Sequence, residues 1–316
     1  MSGTSITGDT LTRERSPWPW ARRRSRDRDS RPLPLRKQLF LQAVCIFLAL
    51  TVLFPLFWVI SLALDPNPGL RPKGLIPTGA TLDNFVDVIK QPTINPISFF
   101  DLAKNSFILA ISSAAVSVVV AIAAAYAFSR LHFPGRTVLM LGILAVLMLP
   151  PVVTIVPLFI QLNAIHIGDF NLRQSLLGVG VAIVSGLLPF AIWNLKGYLD
   201  TIPKDLEEAA AVDGATRNQA FRLVILPLAV PAIAVTAFLG FVAGWTEYYF
   251  SVIFLTGDVP QYTLAIALNG MVGQFATQTP WATFSAFAIL FALPVSIVYL
   301  LLQRYIVSGL TLGGVK

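Results

Sequence analysis

Few residues in this chain are equipped for chemistry. The single cysteine, Cys45, has no partner for an intrachain disulfide and sits in no CxxC pair. His132 and His166 lie far apart in sequence, which argues against a histidine-based metal centre. No G-x4-G-K-[ST] phosphate loop, H-E-x-x-H or G-x-S-x-G occurs, so the sequence offers no catalytic or metal-ligating set. Two acidic positions stand out instead. Glu247 interrupts an otherwise apolar stretch, where burying a charge at mid-membrane costs about 2.5–3.5 kcal/mol on insertion scales. With Trp245, Tyr248 and Tyr249 it either lines a polar path or acts as a hydrogen-bonded packing residue. Glu208 precedes three alanines in the segment 196–227, KGYLDTIPKDLEEAAAVDGATRNQAFRLVILP. That segment predicts two short helices. Pro203 suits a first turn, Asp205, Glu207 and Glu208 suit a positive helix N-terminus, Gly214 supplies a left-handed stop, and Thr216 with Gln219 has capping-box spacing. A projecting pair with a small alanine face fits a partner groove, or is a plain loop.

The elements that carry these residues follow from composition. Of 316 residues, 55% are hydrophobic and only 12% charged, about half the charge of an ordinary soluble domain. A water-soluble enzyme is excluded, and an integral membrane protein is indicated. Crossing the hydrocarbon core takes about 20 apolar residues. Six stretches qualify: 39–64, 105–129, 137–162, 174–195, 223–255 and 281–303. Helices satisfy their own backbone groups in lipid, so the expected fold is an all-α bundle of six transmembrane helices. Pro150, Pro151, Pro157, Pro189 and Pro294 should break or kink their spans, and Gly240 with Gly244 marks close helix packing. The first span follows a long basic leader with no A-x-A site after it, and reads as an uncleaved signal anchor.

Placing the N-terminus inside puts 18 of the 23 Lys and Arg on inner segments and five on outer ones. The bias favours an N-in, C-in topology. Residues 1–37 form an Arg-, Ser- and Pro-rich leader expected to be disordered. The leader holds most of the net charge of +7, which fits contact with the inner leaflet better than nucleic acid. The expected organisation is thus a leader, 1–37, and a transmembrane domain, 38–316. Outside, 65–103 is a proline-rich loop and 256–280 contains YTLAIALNGMVGQF, which could form a short interfacial helix.

The inner loop resembles a known family. Glu208-Ala209-Ala210, Gly214 and Val224-Ile225-Leu226-Pro227 match the E-A-A-x3-G-x9-I-x-L-P loop of ABC-transporter permeases, with Val224 in place of Ile. YAFSRLHFPGR at 126–136 and GWTEYYFSVIFL at 244–255 resemble the carbohydrate-importer branch of maltose/maltodextrin type, although Trp-Asn-Glu is commoner there than Trp245-Thr246-Glu247. The tail QRYIVSGLTLGGVK at 303–316 is similar to the end of that branch's smaller permease subunit. The resemblance covers 38–316 and leaves the leader aside.

This resemblance implies a type I importer permease in a bacterial or archaeal cytoplasmic membrane, moving a di- or oligosaccharide. It implies partners: a second homologous permease, a dimer of ATP-binding subunits and an extracytoplasmic solute-binding protein. This chain would bind no cofactor, since ATP and magnesium sit on the partner ATPase. Glu208, Ala209, Ala210, Gly214, Leu226 and Pro227 would couple to that ATPase. Gly309, Gly313 and Gly314 would let the tail approach its interface, the alternative being a frayed end. The segment 256–280 would touch the binding protein. Competing classes are an ion-coupled secondary transporter, for which only Glu247 qualifies as an intramembrane charge and no half-to-half repeat is evident, and a membrane-embedded enzyme, for which no constellation exists.

Overall fold

The computed structural model describes residues 34–67 and 77–313. Most of the leader, with Pro68, Arg71, Pro72, Lys73 and Gly314, lies outside the described residues. The chain divides into two units, Met1–Phe54 and Pro55–Lys316. In the first, helix α1 (Leu35–Ala63) begins, and its residues up to Phe54 are exposed and mostly apolar. The remaining elements belong to the second unit.

Helix α2 (Asp83–Lys90) follows, then α3 (Phe99–Arg130), the central helix of the bundle. Ser98 caps α3, its Oγ accepting from the Asp101 N–H at 3.1 Å, which satisfies one of the free N–H groups of a first turn. The helix ends at Arg130, four residues before Pro134 and Gly135, where φ is +81°. Helices α4 (Arg136–Leu147) and α5 (Ile155–Asn163) come next, with a 3-10 turn at Pro151–Thr154 between them. A two-residue β-hairpin, β1 (His166–Ile167) and β2 (Phe170–Asn171), precedes α6 (Leu176–Leu199). The inner-loop helices are α7 (Asp205–Val212) and α8 (Arg217–Ala220). A π-turn at Phe221–Ile225 then leads into α9 (Leu226–Trp245), followed by α10 (Tyr249–Phe254), α11 (Leu264–Gly270) and α12 (Trp281–Gly313).

Among the described residues, five helical stretches are long and apolar enough to cross a membrane, and a bent pair makes a sixth when counted as one span. That pair is α4 with α5. The stretch over 137–162, expected as one span broken or kinked at its prolines, turns by 100° at its break. Pro150 and Pro151 cannot donate a backbone hydrogen bond, so the helical ladder ends before them. The stretch 223–255 falls in one spanning helical run, Arg217–Phe254, with two local irregularities. The π-turn widens the backbone just ahead of Pro227, and α9 ends at Trp245 before α10 restarts at Tyr249. In the outer loop 65–103, α2 is a helix that the prolines on both sides concealed, and it buries Val88. The segment expected as an interfacial helix, 262–275, is helical only over α11. It is packed inward rather than laid on a surface, since Leu264, Ala265 and Ala267 are buried.

The core runs along both faces of α3. At one end Ala121, Ile122, Ala125 and Phe128 pack with Leu195, Leu199, Ile225 and Ala229. Farther along, Ala110 joins Phe241, Trp245, Ala286 and Phe287. Helices α3 and α9 meet through small residues. A Cβ added at Gly240 would lie 2.8 Å from Ala114 Cα, and one at Gly244 would lie 2.7 Å from Ala110 Cα. Such spacing lets two backbones approach closely where lipid offers no hydrophobic drive for association. The outer ends are tied by side chains. Asn105 donates to the carbonyls of Pro260 (2.8 Å) and Tyr262 (2.9 Å), Ser106 Oγ accepts from the Leu264 N–H, and Arg173 donates to Phe254 O at 2.9 Å.

The α3–α9 contact yields a direct expectation. Gly244→Val forces the two helices apart and lowers the melting temperature of the purified chain, by a destabilisation of about 1–3 kcal/mol typical of overpacking. Gly186→Val, where an added Cβ meets nothing within 4 Å, leaves it nearly unchanged.

Candidate functional site

The inner loop folds as two short helices around a glycine. Gly214 has φ of +87°, and an added Cβ there would touch nothing within 4 Å. The requirement for glycine is therefore conformational rather than steric. The Ala215 N–H reaches Ala210 O at 2.9 Å and the Gly214 N–H reaches Ala211 O at 3.1 Å. This pair of bonds closes α7 with a Schellman motif, which satisfies two carbonyls that a helix end leaves open. Thr216 and Gln219 then form a reciprocal capping box at the start of α8. Pro203 precedes α7 rather than entering it, and the helix begins with Asp205, Glu207 and Glu208 in its first turn.

The two glutamates face different surroundings. Glu207 is pinned to the end of α3, with its Oε1 accepting from Arg130 Nε and its Oε2 from the Tyr126 hydroxyl at 3.0 Å. The Arg130 and Glu207 side chains are only 7% and 17% exposed, so the pair is largely desolvated. The rest of the guanidinium is also used, as Nη2 donates to Ile202 O at 2.9 Å and Nη1 to Ser129 Oγ at 3.0 Å. Ser129 donates to Asp200 Oδ1 at 2.6 Å, and Lys196 pairs with the other oxygen of Asp200. The ring of Phe221 packs against Tyr126 with centroids 4.6 Å apart. One network thus joins the ends of α3 and α6, the 200–204 turn, α7 and the start of the π-turn. Glu208 is exposed, and its carboxylate makes no hydrogen bond or ion pair among the described residues. With Lys204, Ala211, Ala215 and Arg217 it borders an open cavity of about 270 Å³ whose wall is Tyr126, Arg130 and Glu207.

The sequence-expected residues fall out as follows. Glu208 and Ala209 lie on the exposed side of α7, Ala210 is half-buried, and Gly214 is the exposed hinge between α7 and α8. Leu226 and Pro227 open α9; Leu226 is half-buried against the core below the loop, and Pro227 is exposed. Arg130 and Glu207 both lie in the quoted motifs, where Glu207 reads only as a first-turn acid and nothing local pairs the two. Their signal was a basic residue ending one span and an acid beside the conspicuous Glu208.

At the other end of α9 the four residues expected near a polar path, Trp245, Glu247, Tyr248 and Tyr249, separate. Trp245 is 1% exposed, stacks on Phe241 and Phe291, and donates its indole N–H to Phe291 O at 2.9 Å. It is part of the core. Glu247 Oε1 accepts from the Phe250 N–H at 2.6 Å and so caps α10, which is the packing alternative. Tyr248 does border an open cavity of about 270 Å³, together with Thr246, Tyr249 and Asn269. Gly309 and Gly313 belong to the backbone of α12, so the chain at these positions is helical and not extended. Among the described residues no group of three His, Cys, Asp or Glu is placed to hold a metal.

Known proteins place this geometry. Residues 117–312 match the family model described as "Binding-protein-dependent transport system inner membrane component". The chain is 34% identical over 280 residues to the trehalose/maltose transport system permease protein MalG of Thermococcus litoralis, covering 89% of this chain and 97% of the relative. It is 36% identical over 297 residues to the maltose/maltodextrin transport system permease protein MalG of Escherichia coli K12, covering 90% and 98%. It is 34% identical to the trehalose transport system permease protein SugB of Mycobacterium tuberculosis, covering 84% and 92%. A chain in the crystal structure of a bacterial ABC transporter involved in import of the acidic polysaccharide alginate superposes with a TM-score of 0.69 at 22% identity, covering 85% of this chain and 96% of that one. This last likeness concerns the fold.

The Asp200 link carries a pH signature. Burial pushes the Asp200 carboxyl up, but hydrogen bonds from Lys196 and Ser129 and the charges of Lys196 and Arg130 outweigh it and hold the group below its ordinary value. A depressed carboxyl stabilises the fold above its unfolded pKa and loses that contribution as pH falls through the folded value. Asp200→Asn should therefore lower the melting temperature near neutral pH, and the difference from the native chain should shrink as pH falls through the folded value of the Asp200 carboxyl, which lies below its ordinary value.

Proposed function

The chain belongs to the family of inner membrane components of binding-protein-dependent transport systems, and from that premise we propose that it is the sugar-translocating permease subunit that receives motion through α7. The substrate class is a di- or oligosaccharide of the maltose, maltodextrin or trehalose kind. That class is what relatives at 34–36% identity over most of their length are named for. The assembly comprises this chain, a second homologous permease, a pair of ATP-binding subunits and an extracytoplasmic binding protein. ATP and magnesium belong to the ATP-binding subunits, and this chain performs no hydrolysis.

The observation that carries the reading is the division of labour between neighbouring acids. Glu207 is consumed inside the molecule by Arg130 and Tyr126, while Glu208 stands exposed beside a small alanine face. A helix anchored on one side and open on the other is built to be pushed. Glu208 and Ala209 form the docking face toward the ATP-binding subunit, with Glu208 facing a basic partner group. Gly214 sets the angle between the docked helix and the bundle. Closure of the nucleotide-bound ATPase moves α7, and the ion pair passes that displacement to α3. A change of this kind is a two-state rearrangement biased by nucleotide.

With α7 on the cytoplasmic side, the Tyr248 cavity lies at the outer end of α9, and Tyr248, Thr246 and Asn269 are this chain's contribution to the sugar path. The segment 256–280 faces the binding protein. The end of α12, with Gly309 and Gly313, meets the ATP-binding subunit.

The two acids should separate in a reconstituted complex. Glu208→Arg should release the ATP-binding subunit during co-purification. Glu207→Gln should keep it bound, since the exposed face is intact, but cut ATP-driven sugar uptake tenfold or more, because breaking a buried pair costs about 3–5 kcal/mol. Uptake by the purified chain alone, without an ATPase or ATP, contradicts the reading and points to an ion-coupled carrier.

A further inference from the structure

A second cavity at the inner end of the bundle lies beside the coupling network and shares only Lys196 with it. It has a volume of about 450 Å³ and lies between the end of α3, the 131–135 turn, the start of α4 and the end of α6. Its cationic or N–H-bearing lining consists of His132, Arg136 and Lys196, and its apolar lining of Phe128, Phe133 and Met140. No carboxylate lines it. Lys196 already has Asp200 as a partner. Arg136 has no acidic partner among the described residues, and its hydrogen bond is a 3.4 Å contact from Nη1 to Leu131 O. An arginine held half-buried in an apolar setting without a carboxylate is electrostatically unfinished.

Position supplies the rest. The cavity opens where α4 begins, and beyond Arg136 the helix turns Val138, Leu139 and Leu141 outward at 72%, 56% and 60% exposure. Cationic groups at the rim and a run of exposed apolar side chains directly above them match a phospholipid, phosphate at the polar boundary and acyl chains along the helix. Basic pockets between spanning helices on the cytoplasmic side are a recognised way of holding anionic headgroups. A guanidinium offers paired donors to phosphate oxygens, and an ammonium adds a point charge.

The geometry points to a binding site for the phosphodiester headgroup of an anionic phospholipid, formed by Arg136, Lys196 and His132 at the cytoplasmic edge of α4. The site needs only the inner placement of the 131–135 turn and is independent of the transported sugar. Its consequence is local: a bound lipid clamps the start of the bent α4–α5 pair against α6, next to the network that anchors α7.

The test uses the full chain in phosphatidylcholine nanodiscs with graded phosphatidylglycerol, and native mass spectrometry to count retained lipid. Retention of one phosphatidylglycerol is expected, with a matching rise in melting temperature that phosphatidylcholine does not give. Arg136→Gln with Lys196→Gln should weaken retention by tenfold or more, near fivefold for each cation beside an anionic lipid. Arg136→Lys should recover part of it, which guards against a variant that simply misfolds. Arg304→Gln, a basic residue at the inner end of α12 outside the cavity, should leave retention unchanged. Equal retention of the two lipids overturns the proposal, as does equal weakening by Arg304→Gln. Displacement by inorganic phosphate at the same concentration would assign the pocket to a free anion and also overturn it.

Discussion

The ion pair between Arg130 and Glu207 is the interaction on which the functional end of this molecule depends. Helix α7 is only eight residues long, too short to persist alone in water. It has no buried residue of its own, so hydrophobic packing does little to hold it. What fixes it is a nearly dry guanidinium–carboxylate contact, supported by the Tyr126 hydroxyl and the Ile202 carbonyl. Pairs of this kind return little net stability over an apolar alternative, but losing one partner leaves an uncompensated charge. They specify position more than they stabilise. That suits the role proposed for α7, an element that stays attached to one helix while another protein displaces it.

The force path beyond this pair is set by close backbones. Helix α3 lies against α9 through Ala110, Ala114, Gly240 and Gly244, and Phe107 packs edge-on against Trp245 across the same contact, with centroids 4.7 Å apart. A movement of the inner end of α3 is therefore carried along the bundle rather than dissipated. At the outer end, Asn105 and Ser106 tie α3 to the backbone of the 260–264 segment, and Gln261 ties that segment to the start of α6. On the proposed coupling, movement introduced at α7 would arrive where Tyr248 and Asn269 border the outer cavity.

Much of this was readable from sequence, and the gaps have physical causes. Charge-free stretches located the spans because lipid excludes charge, and the inner-loop helices were legible because capping and left-handed glycine signals are local. The break in α4–α5 was announced by Pro150 and Pro151, but its size depends on what the halves pack against, which no local signal encodes. Helix α2 was hidden because its apolar face is short and lies between prolines. The Arg130–Glu207 pair joins residues 77 apart in sequence, and neither a basic residue at a helix end nor an acid in a first turn identifies its partner locally. Glu208 drew attention as the first letter of a motif, whereas the neighbour that holds the helix in place was inconspicuous. At the outer end, sequence grouped Trp245, Glu247 and Tyr248 by proximity, and folding sent them to a core, a helix cap and a cavity wall.

The central claim is that α7 and the inner end of α3 move as one body. The most direct measurement is a spin-label distance between Val212→Cys on α7 and Pro134→Cys beyond α3, with Cys45 replaced by serine, in the assembled transporter with and without ATP. The account predicts one unchanged narrow distance distribution in both states, broadened when Arg130 is replaced by glutamine. A distance that shifts on ATP binding in the otherwise native chain would show α7 swinging free of α3, and would contradict it.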